Sequence, residues 1–263
     1  MTAMHDAHVG CDPRYLRATA LSPSVARLKQ EAYEALEIAG GSFVVDVGCG
    51  PGIDTIPLAH IVGPEGHVTG VDADAAAVDE ANRAAVEAGV GAWTRHTVGD
   101  AAALELSPGE ADACYSERLL QHIAWDATPR VAEELLRVVK PGGRVVVVDT
   151  DWATLSIASQ DPWLERRIVQ ELALGFVNPY SGRGLPAVLS TAGLAARSVR
   201  TFDLQLGYDS LTYLLAAPLR RGIAARRLGA SEVQRWSAAL RTANDYGLFF
   251  AHVSMVMVAG RVP

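Results

Sequence analysis

Phe43-Val44-Val45-Asp46-Val47-Gly48-Cys49-Gly50-Pro51-Gly52 is the stretch on which the fold reading turns. Its first five residues are apolar and mostly β-branched, broken by one acid, which is the make-up of a short buried strand. Glycines at 48, 50 and 52 follow, and a helix is expected over about 53–62. A strand that enters a glycine loop and leaves as a helix presents a ligand site at the carboxyl end of a sheet. Glycine lets the backbone turn there and approach a ligand more closely than a Cβ would permit. Several nucleotide-binding families share such a loop, so the neighbouring elements must specify it.

Outward from this point the chain alternates. Strands are expected at about 67–71, 92–97, 112–115 and 144–149, with helices at about 74–88 and 118–139. The last helix contains a second clean start at Thr128-Pro129 and ends at Lys140-Pro141-Gly142-Gly143. Val145 to Val148 is apolar on both faces, as a parallel strand covered by helices on each side requires. A β-α-β rhythm of this kind means an α/β, doubly wound sheet. Upstream, Ser22-Pro23 is a helix start, and Val25, Leu28, Ala32, Leu36 and Ala39 recur at helical spacing until Gly40-Gly41.

After residue 150 the rhythm changes. Phe202, Leu204 and Leu206 alternate with Thr201, Asp203 and Gln205 as in a strand, and His252 to Val262 reads as the last one. Helical segments fill about 153–192 and the interval before His252, where Ser231-Glu232-Val233-Gln234 has the form of a capping box. Eleven of the 17 aromatic residues fall after residue 150, so the later helices read as an aromatic cover over a cofactor scaffold. The expected organisation is residues 1–150 as N-terminal helices and cofactor core, and 151–263 as the rest of the sheet with its cover, in one continuous domain.

Net charge is −7, which argues against broad binding to nucleic acid or to anionic membrane. Cys11, Cys49 and Cys114 are too far apart and too few for a disulfide framework or a zinc spacing. The first residues lack the features of a signal peptide, and no apolar run reaches membrane-spanning length. A cytoplasmic location is expected.

Three acids give the glycine loop its specificity. Asp46 lies two residues before Gly48; Asp72 ends the next strand; Asp100 follows the third. A carboxylate at the end of the second strand can accept hydrogen bonds from both hydroxyls of a ribose, each charge-assisted bond being worth about 1.5–3 kcal/mol. Their joint occurrence at successive strand ends is hard to obtain from turn residues alone.

This set resembles the class I S-adenosylmethionine-dependent methyltransferases over residues 24–149, with Lys140-Pro141-Gly142-Gly143-Arg144 similar to the turn such enzymes place before their fifth strand. Within the class it resembles the ubiquinone/menaquinone-biosynthesis type and bacterial small-molecule enzymes, through Asp149-Thr150-Asp151-Trp152 and Asn178-Pro179-Tyr180. Pro51 departs from the pattern, since many members carry a hydroxyl residue there. The resemblance implies a Rossmann-like, seven-stranded sheet with an antiparallel last strand and helical insertions that cover the substrate. It implies S-adenosylmethionine as cofactor and S-adenosylhomocysteine as product, with no metal. The cofactor contacts it implies are Asp46 toward the methionine ammonium, Gly48, Cys49 and Gly50 in the loop, Asp72 and Ala73 at the ribose, and Asp100 and Ala101 at the adenine. Ser116 and Glu117 would line the transfer site and Arg118 would meet the methionine carboxylate. His122 is the candidate general base, and Tyr15 the N-terminal aromatic folded over the cofactor.

The acceptor is less legible. Tyr-Ser-Glu-Arg at 115–118 replaces the motif of amino-methylating DNA enzymes, no Pro-Cys nucleophile is present, and no clear acid pair marks a magnesium site. A small quinone-like, polyketide or amine metabolite, as in secondary metabolism, is expected, with no nucleic-acid or membrane partner and the oligomeric state open, a homodimer included. Trp152, Tyr180, Arg183, Tyr208, Tyr246 and His252 are the candidate acceptor contacts, while Arg220-Arg221 and Arg226-Arg227 read as a solvated helix face. One alternative keeps the fold and cofactor but performs a cyclisation or rearrangement. A non-catalytic binding protein would show an eroded loop, and a nicotinamide-dependent oxidoreductase is disfavoured by Asp46 and the glycine spacing.

Overall fold

The structure is a computed structural model that describes residues 22–263. Tyr15 and Cys11 lie outside the described residues. The first described helix, α1 (Pro23–Ala35), starts as its sequence predicts: Ser22 is the N-cap and its hydroxyl accepts from the Val25 N–H at 3.3 Å. The chain then runs through β1 (Phe43–Val47), α2 (Thr55–Val62), β2 (His67–Asp72), α3 (Ala75–Glu87), β3 (Thr94–Val98) and β4 (Ala111–Glu117). After a short 3₁₀ turn at Leu120–His122 come α4 (Thr128–Arg137), β5 (Val139–Ile157), α5 (Pro162–Ala173) and α6 (Ser181–Thr191). The last elements are β6 (Ala195–Gln205), α7 (Tyr208–Ala224), α8 (Ala230–Asp245) and β7 (Ala251–Arg261).

The strands form one seven-stranded sheet in the order β3-β2-β1-β4-β5-β7-β6, with β7 antiparallel to both neighbours. The expected doubly wound, Rossmann-like architecture is therefore present. Its core has two layers. Val146 and Val148 pack into one hydrophobic cluster with Val44, Tyr115 and the stripe Val25, Leu28, Ala32 and Leu36 of α1. Val145 and Val147 face the opposite cluster with Val45, Val47, Val131 and Leu135. Alternate side chains of one strand thus serve both faces, which is why that run is valine without interruption.

Three local expectations are corrected. The segment 118–139 is not one helix: Arg118 takes a left-handed φ of +57°, a single 3₁₀ turn follows, and α4 begins only at Thr128. The cause is tertiary, because buried Asp149 accepts the Gln121 N–H at 3.1 Å and pins the loop to β5. Strand β5 continues to Ile157 rather than ending at 149, since β7 pairs with it as far as Ala251. At α8 the N-cap is Gly229 rather than Ser231. Glu232 Oε2 accepts the Gly229 N–H at 3.2 Å, which supplies the acidic half of the capping box.

Among the described residues no helix is long and apolar enough to cross a membrane.

Candidate active site

The order β2-β1-β4 places a topological switch point between β1 and β4, the crevice where ligands bind in such sheets. Register fixes what meets there: Asp46 of β1 pairs with Gly70 of β2 and with Tyr115 of β4. The glycine loop leaves β1 immediately beyond, held down by the Gly48 and Cys49 N–H groups, which donate to the Val71 carbonyl at 2.7 and 3.2 Å.

All three loop glycines have positive φ, and at Gly50 it is +51°. A Cβ added at Gly50 would meet nothing within 4 Å among the described residues, so the loop presents bare backbone there. The Gly50 N–H donates to Asp72 Oδ2 at 2.8 Å, and Asp72 Oδ1 accepts the Asp74 N–H at 2.9 Å. Ala73, exposed, lies between them. Asp100 is exposed at the end of β3 and accepts the Ala102 N–H at 2.8 Å, with half-buried Ala101 between. Cys49 is buried, and its thiol is pushed up by burial and by the charges of Asp46 and Asp72.

Deeper in the crevice the side chains carry charge. Asp46 is only 2% exposed, and among the described residues its Oδ2 has no hydrogen-bond partner. Burial, reinforced by Asp54, Glu117 and Asp72 and opposed by Lys29, raises its carboxyl well above the usual range. Lys29 of α1 reaches across to donate to Asp54 Oδ1 at 2.5 Å and to Glu117 Oε2 at 2.9 Å. The Tyr33 hydroxyl donates to Asp54 at 2.5 Å, and the Tyr115 hydroxyl to Glu117 at 2.7 Å. Burial alone would raise the Glu117 carboxyl; the Lys29 ammonium, Arg118 and the Tyr115 hydroxyl overcome it and hold it at about 2. Glu117 is thus a fixed anion, whereas burial keeps Asp54 raised.

The structure brings Asp46, the glycine loop, Asp72 and Glu117 together at adjoining strand ends, with Arg118 3.0 Å from Glu117 Oε1. Ser116 is fully buried and its hydroxyl donates to the Val47 carbonyl at 2.8 Å, so it ties β4 to β1. His122 sits at the end of the 3₁₀ turn, its ring 6.2 Å from Phe176 and its Nε2 3.0 Å from the Gln121 amide nitrogen. Gln121 Oε1 accepts from Trp152 Nε1 at 2.8 Å, which orients the amide so that its N–H₂ donates to His122 Nε2. Trp152 and Phe176 stack at 4.5 Å within the core.

Of the other cover candidates, Tyr180 is exposed beside Arg183, whose guanidinium pairs with Asp151. Tyr246 is exposed, and half-buried His252 lies 3.9 Å from Asp203. Tyr208 and Phe249 border a cavity of about 370 Å³ with Ser22, Gln205, Asn244 and Gly247. Gln205 pairs with His252, and Ala251 with Ile157 at the end of β5, so this cavity opens at the same end of the sheet as the glycine loop.

Lys29, Tyr33 and Asp54 were not among the sequence-predicted site residues. Lys29 falls four residues after Val25 and three before Ala32, on the apolar stripe of α1. A charged residue on such a stripe is the signal that marks it.

A mostly parallel sheet with a glycine loop and paired acids at its switch point defines a Rossmann-like nucleoside-cofactor protein. Comparison with known proteins narrows the class. A methyltransferase-domain model matches residues 44–143. An uncharacterised 37.1 kDa protein in transposon Tn4556 of Streptomyces fradiae is 31% identical over 263 positions, 94% of this chain and 70% of that one. The demethylmenaquinone methyltransferase of Lactobacillus johnsonii is 30% identical over 126 positions, 48% of this chain and 51% of that enzyme, so the chain spans about half the length of this relative. The crystal structure of YcgJ from Bacillus subtilis shares the fold, with a TM-score of 0.63 and 19% identity over 90% of this chain and 98% of that one. The chain belongs to the class I S-adenosylmethionine-dependent methyltransferases.

Proposed function

We propose that this chain transfers a methyl group from S-adenosylmethionine to a small, largely apolar or aromatic metabolite: a quinone-like compound, a polyketide or an amine. The observation that carries the cofactor part is Asp46, whose buried Oδ2 lacks any hydrogen-bond donor among the described residues, beside a loop of bare backbone. A buried carboxylate oxygen without a partner is costly, and an ammonium group satisfies it.

The residues divide the work. Asp46 holds the methionine ammonium, and Arg118 its carboxylate. Gly48, Cys49 and Gly50 line the loop against the nucleoside. Asp72 accepts from the ribose through lone pairs that Gly50 and Asp74 leave unused, Ala73 lies beside it, and Asp100 with Ala101 receives the adenine. When bound, the cofactor supplies an already activated methyl on a sulfonium. The protein then has to align the acceptor and exclude water. Ser116 and Glu117 line that point, and the helices α5 to α8 supply the cover. A base helps only where the acceptor must lose a proton. We assign His122 to positioning the loop, because its Nε2 already accepts from Gln121. The demethylmenaquinone methyltransferase match supports a quinone-like acceptor. A cytoplasmic site of action and a place in secondary metabolism complete the reading.

The test is turnover with a panel of quinols, polyketide phenols and amines, following both methylated product and S-adenosylhomocysteine. Stoichiometric release of S-adenosylhomocysteine with a methylated acceptor supports transfer. Conversion of an acceptor without it supports the cyclisation alternative.

A further inference from the structure

The segment 99–106, which follows β3 and carries Asp100 and Ala101, is held from one face of α4. Arg130, Glu134 and Arg137 stand at positions i, i+4 and i+7 of that helix, so their side chains leave it on the same side. Between them they reach the backbone of residues 102, 104 and 106. Arg130 Nε donates to the Ala102 carbonyl at 3.1 Å, and Glu134 Oε2 accepts the Leu104 N–H at 2.8 Å. Arg137 Nη2 donates to the Leu104 carbonyl at 3.0 Å, and its Nη1 to the Leu106 carbonyl at 2.8 Å. Three side chains thus satisfy backbone groups that a neighbouring strand would satisfy in the sheet.

The clamp is stiff at its base. Glu134 is only 2% exposed, and Arg137 grips it with two donors, Nε to Oε1 and Nη2 to Oε2, each at 2.7 Å. That two-pronged pair fixes the plane of the guanidinium as well as its position. Leu104 packs into the cluster of Val131 and Leu135, with Ala101, Ala102 and Leu106 against it.

Only a short path leads from the clamp to the acid. Asp100 Oδ1 accepts the Ala102 N–H at 2.8 Å, and the Asp100 carbonyl accepts the Ala103 N–H at 3.0 Å, which closes a turn over 100–103. Ala102 therefore has its N–H on Asp100 and its carbonyl on Arg130. Asp100 itself is exposed, so this turn, and not packing, sets the direction of its carboxylate.

We propose that Arg137, Glu134 and Arg130 are positioning residues that aim Asp100 at the 6-amino group of the cofactor's adenine, and that selection of the base depends on them. The inference rests on the reading of Asp100 and Ala101 as the adenine site. A carboxylate can only accept, so it rewards a base with an amino donor at that place. A hydrogen bond weakens steeply as its angle closes, so the reward depends on how the turn is oriented.

The experiment is calorimetric binding of two ligands, S-adenosylhomocysteine and the same thioether with hydrogen in place of the 6-amino group. They are titrated into the whole chain and into Asp100→Ala and Arg137→Ala. The wild type is expected to bind the adenine ligand about tenfold more tightly than the unsubstituted purine, and Asp100→Ala to erase the difference. Arg137→Ala is expected to cut the ratio to about threefold or less by weakening the adenine ligand alone. A ratio left intact in Arg137→Ala overturns the proposal. So does equal weakening of both ligands, which is what a merely structural clamp would give. A wild-type ratio of unity, or one that survives Asp100→Ala, overturns instead the adenine reading beneath it. If Arg137→Ala does not fold, Arg130→Ala, at a side chain 59% exposed, removes the donor to the Ala102 carbonyl and must lower the same ratio. An unchanged ratio there overturns the proposal as well.

Discussion

The Gly50 amide donates to Asp72 Oδ2 at 2.8 Å, so the glycine loop after β1 and the acid that ends β2 form one hydrogen-bonded unit. Two features that lie 22 residues apart in sequence therefore set a single binding surface. Replacing either perturbs the other.

For Asp72→Ala, the lost carboxylate removes the ribose acceptors and frees the loop. Affinity for S-adenosylmethionine is expected to fall by tenfold or more, as about 1.5–3 kcal/mol of charge-assisted bonding implies. Calorimetry checks this, and an unchanged affinity contradicts the assignment of Asp72 to the ribose.

Gly50→Ala tests the open space at the loop. The left-handed φ of +51° costs an alanine about 1 kcal/mol, a drop of a few degrees in Tm. Cofactor affinity is expected to fall much further than stability, because the new methyl projects where the ligand must lie. A loss of stability with intact binding would move the cofactor away from this loop.

Asp46 links binding to pH. A carboxyl raised by burial is protonated in the unliganded protein when ordinary carboxylates are already charged, and it must release that proton to pair with an ammonium. Affinity for S-adenosylmethionine is expected to rise as pH increases above the usual carboxylate range, with a proton released on binding. Asp46→Asn should bind more weakly and without that pH dependence. Calorimetry in two buffers of different ionisation enthalpy measures the proton directly.

Stability has its own pH dependence at His96. This ring is buried between Asn82 and Thr55, its nitrogens 3.1 and 3.0 Å from their oxygens, and burial lowers it to about 4 from an ordinary 6.5. The folded state keeps the ring neutral while the unfolded chain protonates it, so this contribution is complete above about 6.5 and is lost as pH falls toward 4. The loss amounts to about 3 kcal/mol. Thermal melts of the wild type and His96→Leu should diverge in acid sensitivity over that window, the variant showing the shallower decline.

His122→Ala separates positioning from proton transfer. Removal of a positioning group is expected to lower kcat without deleting a limb of its pH profile. A fall of about 10²–10⁴ with loss of a limb is the mark of a general base and would return that role to His122.

Much of the architecture is legible in the sequence alone. Val44, Val45 and Val47, the valine run at 145–148, the Ser22-Pro23 start and the acids 46 and 72 signal themselves locally, through composition and through spacing that a strand or helix imposes on near neighbours. The stretch after β4 misled because its apolar spacing suits a helix, while the buried Asp149 carboxylate captures the Gln121 N–H and holds the chain in a loop. The aromatics after residue 150 divided in ways their sequence did not signal. Trp152 and Phe176 stack in the core, Tyr208 borders a cavity, and Tyr246 is left in solvent.

By itself, then, the sequence determined most of the strands and helices, though not the loop after β4 or the length of β5, and it determined where the glycine loop turns and that acids stand at the ends of β1 and β2. Those features depend on periodicity and backbone freedom within a few residues. Only the tertiary structure decided that Lys29 would be buried between Asp54 and Glu117, 25 and 88 residues away, and that Asp46 Oδ2 would be left without a hydrogen-bond partner among the described residues. Charge balance in a low-dielectric interior depends on which distant side chains share that interior, and hydrophobic periodicity carries no record of that.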